Sequence, residues 1–424
     1  MAGKFGFYDR SLNVGIPLMP PSQTLAARLV PWIVCLVFGL AGTLGMLSGG
    51  TYAALGIGGG VLLFLAAWRA DGRAPRPDPE LTALTFLTLS ICALLNLQAA
   101  FPATSWHATL KLASIIVPLL LLSCPAVQAR AASPLLFRLW PWTLGIGFLA
   151  LGVDLLLGAP LLVKMRGAEV LDERLLTKYN RGLSYAMLLV WPTLALLWLG
   201  VGDKAKRRWQ TALFVLIMLP PLWLTHSRAT QMAVVLAVGA MLAAQIAPTL
   251  VRRALGAAAV VTVAWPFAAQ ELFLRCHDWV AKLPASWLAR MEIWDFMSFR
   301  IMERPWLGWG LGGSRQLLPA EPHGALYVLT TGPVSHPHNV MTQLWVELGL
   351  PGLALGLGLV FLTLRRIGRM PAPMIPFALG GWTMAFGLSL VAYNFWADSL
   401  LAAIALTGLA FALARGSVSP APCR

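Results

Sequence analysis

Apolar runs of roughly 18–22 residues recur from Leu29 to Leu413, and the connections between them hold most of the charge. Each run is long enough to cross a bilayer as a helix, because the hydrocarbon core is ~30 Å thick and a helix rises ~1.5 Å per residue. The pattern predicts about twelve spans, near 29–47, 51–68, 82–98, 108–126, 139–158, 183–200, 210–225, 230–248, 254–272, 339–364, 373–392 and 399–414. Some 28 mixed residues precede the first run and contain no small-residue cleavage site. That run therefore reads as a retained helix and not as a signal peptide.

Two polar segments interrupt the series on one side. The smaller is 159–182. The larger, 273–338, has room for two or three short helices and falls between spans nine and ten. The expected architecture is all-α and polytopic: a single integral membrane domain over 1–424, carrying a smaller and a large outer loop. Composition agrees. The chain is 58% hydrophobic and 12% charged, against about 45–50% and about 25% for a soluble domain. A soluble enzyme with one anchor is excluded.

Charge changes the picture next. The formal net charge is +15, which by itself would suggest nucleic acid. Its distribution says otherwise. Alternate connections, Lys4 and Arg10 through Arg252, Arg253, Arg365, Arg366 and Arg369 to Arg424, collect 19 cations and five acids, while the other set holds 13 cations and 12 acids. By the positive-inside rule the first set is cytoplasmic, with both termini. No nucleic-acid partner is needed. All six histidines (His107, His226, His277, His323, His336 and His338) fall on the opposite face. No cytoplasmic connection carries a phosphate-binding glycine loop or a metal-binding carboxylate cluster. Chemistry is therefore expected on the outer face, where a reaction must draw its energy from its own substrate. The five cysteines form no CxxC and no zinc-like spacing with histidine, so neither a disulfide framework, a metal nor another cofactor is expected.

The outer-face candidates are few. His338 stands where span ten begins, and helical phase puts it on one face with Thr342, Trp345, Gly349 and Gly352. Small residues on that face would let a neighbouring helix approach. The helix dipole there opposes protonation. His338 is then a neutral base, or an interfacial histidine bonded to a carbonyl. Arg228 follows Thr225-His226-Ser227 at the membrane boundary, either snorkelling or gripping an anion with its planar fork. Arg290 shares a stripe with Trp294, Met297 and Ile301, so it is paired or faces a ligand. Pro305 ends that helix, and the glycines from Gly308 to Gly312 read as backbone geometry. Arg181 is a third anion candidate at the start of span six. Asp154 is an intramembrane acid, with Glu347 and Asp398 weaker cases, and His226 has no assignable role. A neutral histidine with up to three arginines suits transfer from a phosphate-linked donor, the arginines neutralising a leaving diphosphate.

These residues resemble a known family. His338-Asn339, nine residues, Gly349, two residues and Gly352 match the His-[Asn/Ser/Gln]-x9-Gly-x-x-Gly signature of the O-antigen ligase/polymerase superfamily. Thr225-His226-Ser227-Arg228, Arg290-x-x-Ile293-Trp294 and Pro305-x-x-Gly308-x-Gly310 look like its other landmarks. The likeness runs from about Asn180 to Gly352, and Ala229 departs from it where a glycine is usual. The resemblance implies a metal-independent, inverting glycosyltransferase of the GT-C type in the bacterial inner membrane, facing the periplasm. It would transfer O-antigen from undecaprenyl diphosphate to the terminal sugar of lipid A–core. His338 would be the base, and Arg228, Arg290 and Arg181 the diphosphate contacts. His336 and Asn339 would be further substrate contacts. An O-antigen polymerase and a protein oligosaccharyltransferase share donor and chemistry. A lipid-linked sugar transporter is the alternative of another class.

Overall fold

Among the residues described in the computed structural model (25–200, 203–319 and 323–418) every regular element is a helix. Lys4, Arg10, Cys423, Arg424 and both chain ends, which entered the sequence reading, lie outside the described residues. Among the described residues, eleven helices are long and apolar enough by length and composition to cross a membrane: Leu25–Leu47, Thr51–Asp71, Pro79–Asn96, Pro102–Ser123, Pro134–Leu156, Leu175–Leu199, Arg228–Ile246, Pro248–Arg275, Val340–Ile367, Ala372–Val391 and Asp398–Arg415.

The difference from twelve falls at the expected seventh span. That segment is the helix Lys204–Leu224, whose first turns carry Lys204, Lys206, Arg207 and Arg208. Its uncharged part, the sixteen residues from Trp209 to Leu224, is just short of the ~17–25 typical of a span, but the 21-residue helix runs alongside Pro134–Leu156, Phe214 by Gly145 and Pro221 by Gly152, and so carries the chain from one end of the bundle to the other. The ninth span also starts earlier than expected, at Pro248, because Arg252 and Arg253 lie inside the helix and not before it.

The bundle is organised around Leu175–Leu199. In its apolar window 83% of residues are buried, against 17% for Pro79–Asn96, which identifies the first as central and the second as peripheral. Every residue from Leu183 to Leu196 is buried, as expected of a helix that is apolar all round. Close crossings rely on missing side chains. A Cβ on Gly147 would overlap the Gly42 carbonyl, and one on Gly182 would overlap that of Met46.

Charged groups of the predicted inner set pair with one another at one end of the bundle. Arg130 binds Asp71, and Arg366 binds Asp78 and Glu80, with Arg365 also on Glu80. At the other end, much of the expected smaller loop, 159–182, is helical: it holds Pro160–Met165 and, from Glu173, the first turns of the helix carrying the sixth span. Within the larger loop one helix, Ala285–Glu303, has 19 residues and is not the short piece expected. Cys35, Cys92, Cys124 and Cys276 are free thiols.

Candidate functional site

The helix Ala285–Glu303 is the frame on which the loop is hung. Its buried acids hold the loop, Glu292 by backbone amides and Asp295 by side chains. Glu292, fully buried, accepts hydrogen bonds from the amides of Val328 (2.8 Å), Leu329 (3.1 Å) and Thr330 (2.7 Å). Asp295, also fully buried, accepts from Tyr327 Oη at 2.6 Å and lies 3.1 Å from His323 Nδ1. Burial pushes the Asp295 carboxyl above its ordinary range, against those two hydrogen bonds. Trp294, Met297 and Ile301 form the buried stripe the sequence predicts. Trp294 donates its indole N–H to the Pro337 carbonyl at 2.9 Å. That bond fixes the loop between the two histidines.

His338 is not in the helix it precedes. Its φ is +53°, and the helix begins at Val340 with Asn339 as N-cap. Asn339 Oδ1 accepts from the amides of Met341 (3.0 Å) and Thr342 (3.1 Å). The predicted shared face of His338, Thr342 and Trp345 is thereby corrected. A left-handed residue before the cap turns the ring out of the helical phase. The same observation gives Asn339 a structural task, since its side-chain oxygen is taken up by two orphan amides of the first turn.

The glycines also act differently from expectation. Gly349 has φ +62° and ψ −154°, a region essentially reserved for glycine. It breaks the span between Leu348 and Leu350. What approaches is not a neighbouring helix but the loop after Pro305. A Cβ on Gly349 would strike the Trp306 carbonyl, and one on Gly308 would lie 2.6 Å from the Glu347 carbonyl oxygen. Gly308, Gly310 and Gly312 all have positive φ, as the backbone-geometry reading requires. In the gap the Trp309 amide donates to the Val346 carbonyl (2.9 Å) and the Gly310 amide to that of Glu347 (2.8 Å). The Glu347 carboxylate, fully buried, accepts from Gly312 N (2.9 Å), Ser314 Oγ (2.6 Å), Gln343 Nε2 (3.2 Å) and Trp396 Nε1 (2.8 Å). Four donors on one buried carboxylate satisfy its lone pairs. Glu347 is thus a structural clamp.

Around the end of Ile375–Val391 the candidate residues converge. The rings of His336 and His338 lie 3.9 Å apart between centroids, tilted by 42°. His336 Nδ1 is 2.9 Å from Ser335 Oγ. His336 Nε2 and His338 Nδ1 are buried with no hydrogen-bond partner, as is Thr342 Oγ1. Burial is the main reason that His338 is held down to about 3 and His336 to about 4. The Arg290 charge adds to both, and the Ala392 carbonyl partly opposes. Both rings are therefore neutral near neutral pH. Arg290 Nε donates to the Val391 carbonyl at 3.0 Å, another N–H of the same guanidinium donates to the Ser286 carbonyl, and the cation lies over the Trp287 ring. Burial lowers its pKa from the ordinary arginine value.

Arg181 is close enough for its charge to depress His336, and so is Arg315. Arg228 sits at the rim. Its helix runs antiparallel to Ile375–Val391, with Ala233 against Gly387 and Ala237 against Gly380, so Arg228 lies toward Val391. Its guanidinium contacts Gln231 Oε1 at 3.3 Å. A hydroxyl chain joins the two arginine-bearing ends. Tyr393 donates to Ser184 Oγ (2.8 Å), which meets Thr230 Oγ1 (2.6 Å), which meets Ser227 Oγ (2.8 Å).

The other sequence candidates have local explanations. Asp154, close to its helix end, accepts from Tyr179 Oη (2.6 Å) and Leu161 N (2.9 Å). Asp398 Oδ1 accepts from the Ser399 amide at its own helix start. His226 is an exposed turn residue with φ +52°. Arg315, Glu292 and Tyr393 were not singled out from sequence. For Glu292 the signal was an acid between Met291 and Ile293 on an otherwise apolar stretch. For Tyr393 it was the Tyr-Asn pair between two apolar spans.

Residues 213–357 match the family model described as O-antigen ligase. This segment contains Arg228, Arg290, His336, His338 and both signature glycines. Three rickettsial proteins, named as candidate polysaccharide ligases, also align. Those of Rickettsia conorii, Rickettsia typhi and Rickettsia prowazekii are 30%, 31% and 32% identical to this chain over 110, 111 and 111 residues. Each alignment covers 25% of this chain and 27% of the relative. The chain thus aligns with about a quarter of the length of these curated relatives.

Proposed function

We propose, on the likeness of residues 213–357 to the O-antigen ligase family model, that this chain is a membrane glycosyltransferase that transfers O-antigen polysaccharide from undecaprenyl diphosphate to the terminal sugar of lipid A–core. The proposed site faces the periplasm of a bacterial inner membrane, with both termini cytoplasmic. The proposed architecture is of the GT-C type. The observation that carries the reading is the pair of half-buried histidines with orphan, buried ring nitrogens, His336 lying within reach of the charges of Arg181, Arg290 and Arg315 and His338 within reach of that of Arg290.

The chemistry follows from that arrangement. The arginines provide fixed positive charge where a diphosphate leaves. His338 takes the proton of the acceptor hydroxyl as that oxygen attacks the anomeric carbon on the face opposite the diphosphate, which inverts the configuration. A histidine held near 3 is a weak base. The bound diphosphate corrects this, because a nearby anion favours the imidazolium and raises the pKa. The base thus gains strength when the donor is in place. Metal independence belongs to the same proposal, since the guanidinium groups perform the neutralisation.

The test is reconstitution of the purified chain with lipid-linked O-antigen, offering lipid A–core and free lipid-linked repeat units as competing acceptors. Product on lipid A–core supports the ligase; lengthened lipid-linked chains mean a polymerase instead. His338→Ala should abolish transfer and leave donor binding within about a factor of ten, since the base acts in the transition state and not in binding. Near-normal transfer by that variant would sink the catalytic assignment.

A further inference from the structure

The cation-rich end of the bundle holds a second feature, remote from the histidines. A groove of about 360 Å³ opens between the first turns of Pro248–Arg275 and the last turns of Val340–Ile367. Arg252, Arg253, Arg365, Gly256, Phe361 and Leu364 line it. Its charges are unbalanced. Asp78 and Glu80 are engaged by Arg366, and Glu80 also by Arg365. Among the described residues Arg252 and Arg253 make no ion pair. The Arg252 guanidinium lies against Gly368, where a Cβ would collide with it.

The floor is apolar and open. Gly256 is buried against the Phe361 ring, which a Cβ there would meet at 3.2 Å, so the glycine lets that ring settle into the wall of the groove. Phe361 is half exposed and continues the wall toward the middle of the span. The groove is cationic at the helix ends and apolar one turn further in. A free anion uses only the first part; a molecule with a phosphate above a hydrocarbon chain uses both.

We propose that this groove binds an anionic phospholipid of the adjoining leaflet. The phosphate lies among the Arg252, Arg253 and Arg365 guanidinium groups, whose planar forks match its oxygens. An acyl chain runs over Gly256 along Phe361 and Leu364. Basic pockets between spans are suited to such headgroups. The site joins the span that leads into the large loop to the span that leaves it. Its occupancy stabilises the register of these two helices. The proposal does not depend on glycosyl transfer.

The experiment uses the full chain in neutral detergent and follows thermal unfolding as phosphatidylglycerol, phosphatidylcholine or inorganic phosphate is added. Phosphatidylglycerol should raise the midpoint saturably, and the other two should not. The double variant Arg252→Gln, Arg253→Gln should lose at least about tenfold in apparent affinity for phosphatidylglycerol. Gly256→Leu should do the same by pushing the Phe361 ring into the groove while every charge is kept. It decides the question if the double variant does not fold. An equal shift with phosphatidylcholine overturns the charge argument. A full shift with inorganic phosphate alone means a small-anion site. A wild-type response in Gly256→Leu removes the acyl chain from the groove.

Discussion

Replacing Glu292 by Gln is the sharpest test of how the outer loop is held. The side chain keeps its shape and loses its charge. In the native chain Oε1 takes the Val328 amide at 2.8 Å and Oε2 takes that of Thr330 at 2.7 Å, with the Leu329 amide shared between them at 3.3 and 3.1 Å. Glutamine retains one oxygen. Whichever way the amide is turned, its NH2 faces either Val328 or Thr330, donor against donor. One strong bond is lost, and the survivors fall from about 1.5–3 kcal/mol, typical of a charged acceptor, to about 0.5–1.5 kcal/mol. The combined cost is roughly 3 kcal/mol, or about a hundredfold in the opening equilibrium of this stretch. Amide exchange read by mass spectrometry on peptides covering 326–332 should accelerate by about that factor. Peptides from the buried core of Leu175–Leu199 should not change. Unaltered protection at Val328–Thr330 would refute the claim that this carboxylate holds the loop. Transfer should also fall, because the released stretch leads directly to His336.

Other expectations follow from the same geometry. Since His338 and His336 are held near 3 and 4, kcat/KM, which reports the free protein, should stay flat from pH 8 to about 5. The acid limb of kcat, which reports the donor-bound state, should lie at higher pH; a single limb near 6.5 in both profiles would refute the buried neutral pair. For stability the sign is fixed by depressed histidines. The unfolded chain binds more protons between about 6.5 and 3, so their contribution is complete above about 6.5 and is lost as pH falls. Gly349→Ala should prevent correct folding of the loop against the span, seen as loss of monodisperse protein, because both φ and the Trp306 carbonyl forbid a side chain there. Arg290→Ala and Arg228→Ala should weaken donor binding, Arg290 more strongly because it lies inside the cluster and Arg228 at its rim; unchanged donor affinity in both would remove them from the site. EDTA should leave transfer intact, and loss reversed by added Mg²⁺ or Mn²⁺ would overturn metal independence.

The series of spans was legible because span length is set by the bilayer and not by detailed packing. The expected seventh span, Lys204–Leu224, is the least apolar of the series, because cations occupy the first turns of a helix whose apolar remainder is short. Candidates for the proposed site could be picked out of the sequence residue by residue, but their geometry could not. His338, Arg290 and Arg181 could be named. That His338 turns away from its helix could not, because helical phase holds only inside a helix and the Asn339 cap comes first. The partner of Gly349 was likewise hidden, since nothing in the local pattern says that a loop some forty residues upstream enters the break. Arg315 and the Val391 and Ala392 carbonyls were invisible for a similar reason: their roles depend on contacts between distant elements.

The break at Gly349 also bears on how such chains can be recombined. Trp309, Gly310 and Gly312 offer their amides to Val346, the Glu347 carbonyl and the Glu347 carboxylate. The rear of the outer loop is thereby stitched into the interior of a transmembrane helix. It cannot be exchanged as a surface cassette. A chimera that swaps the loop must carry 305–352 as one block, with Asn394 and Trp396 retained to meet Gln343 and Glu347. Cutting at the membrane boundary beside Asn339, the natural place to divide loop from span, would separate donors from the acceptors that they need.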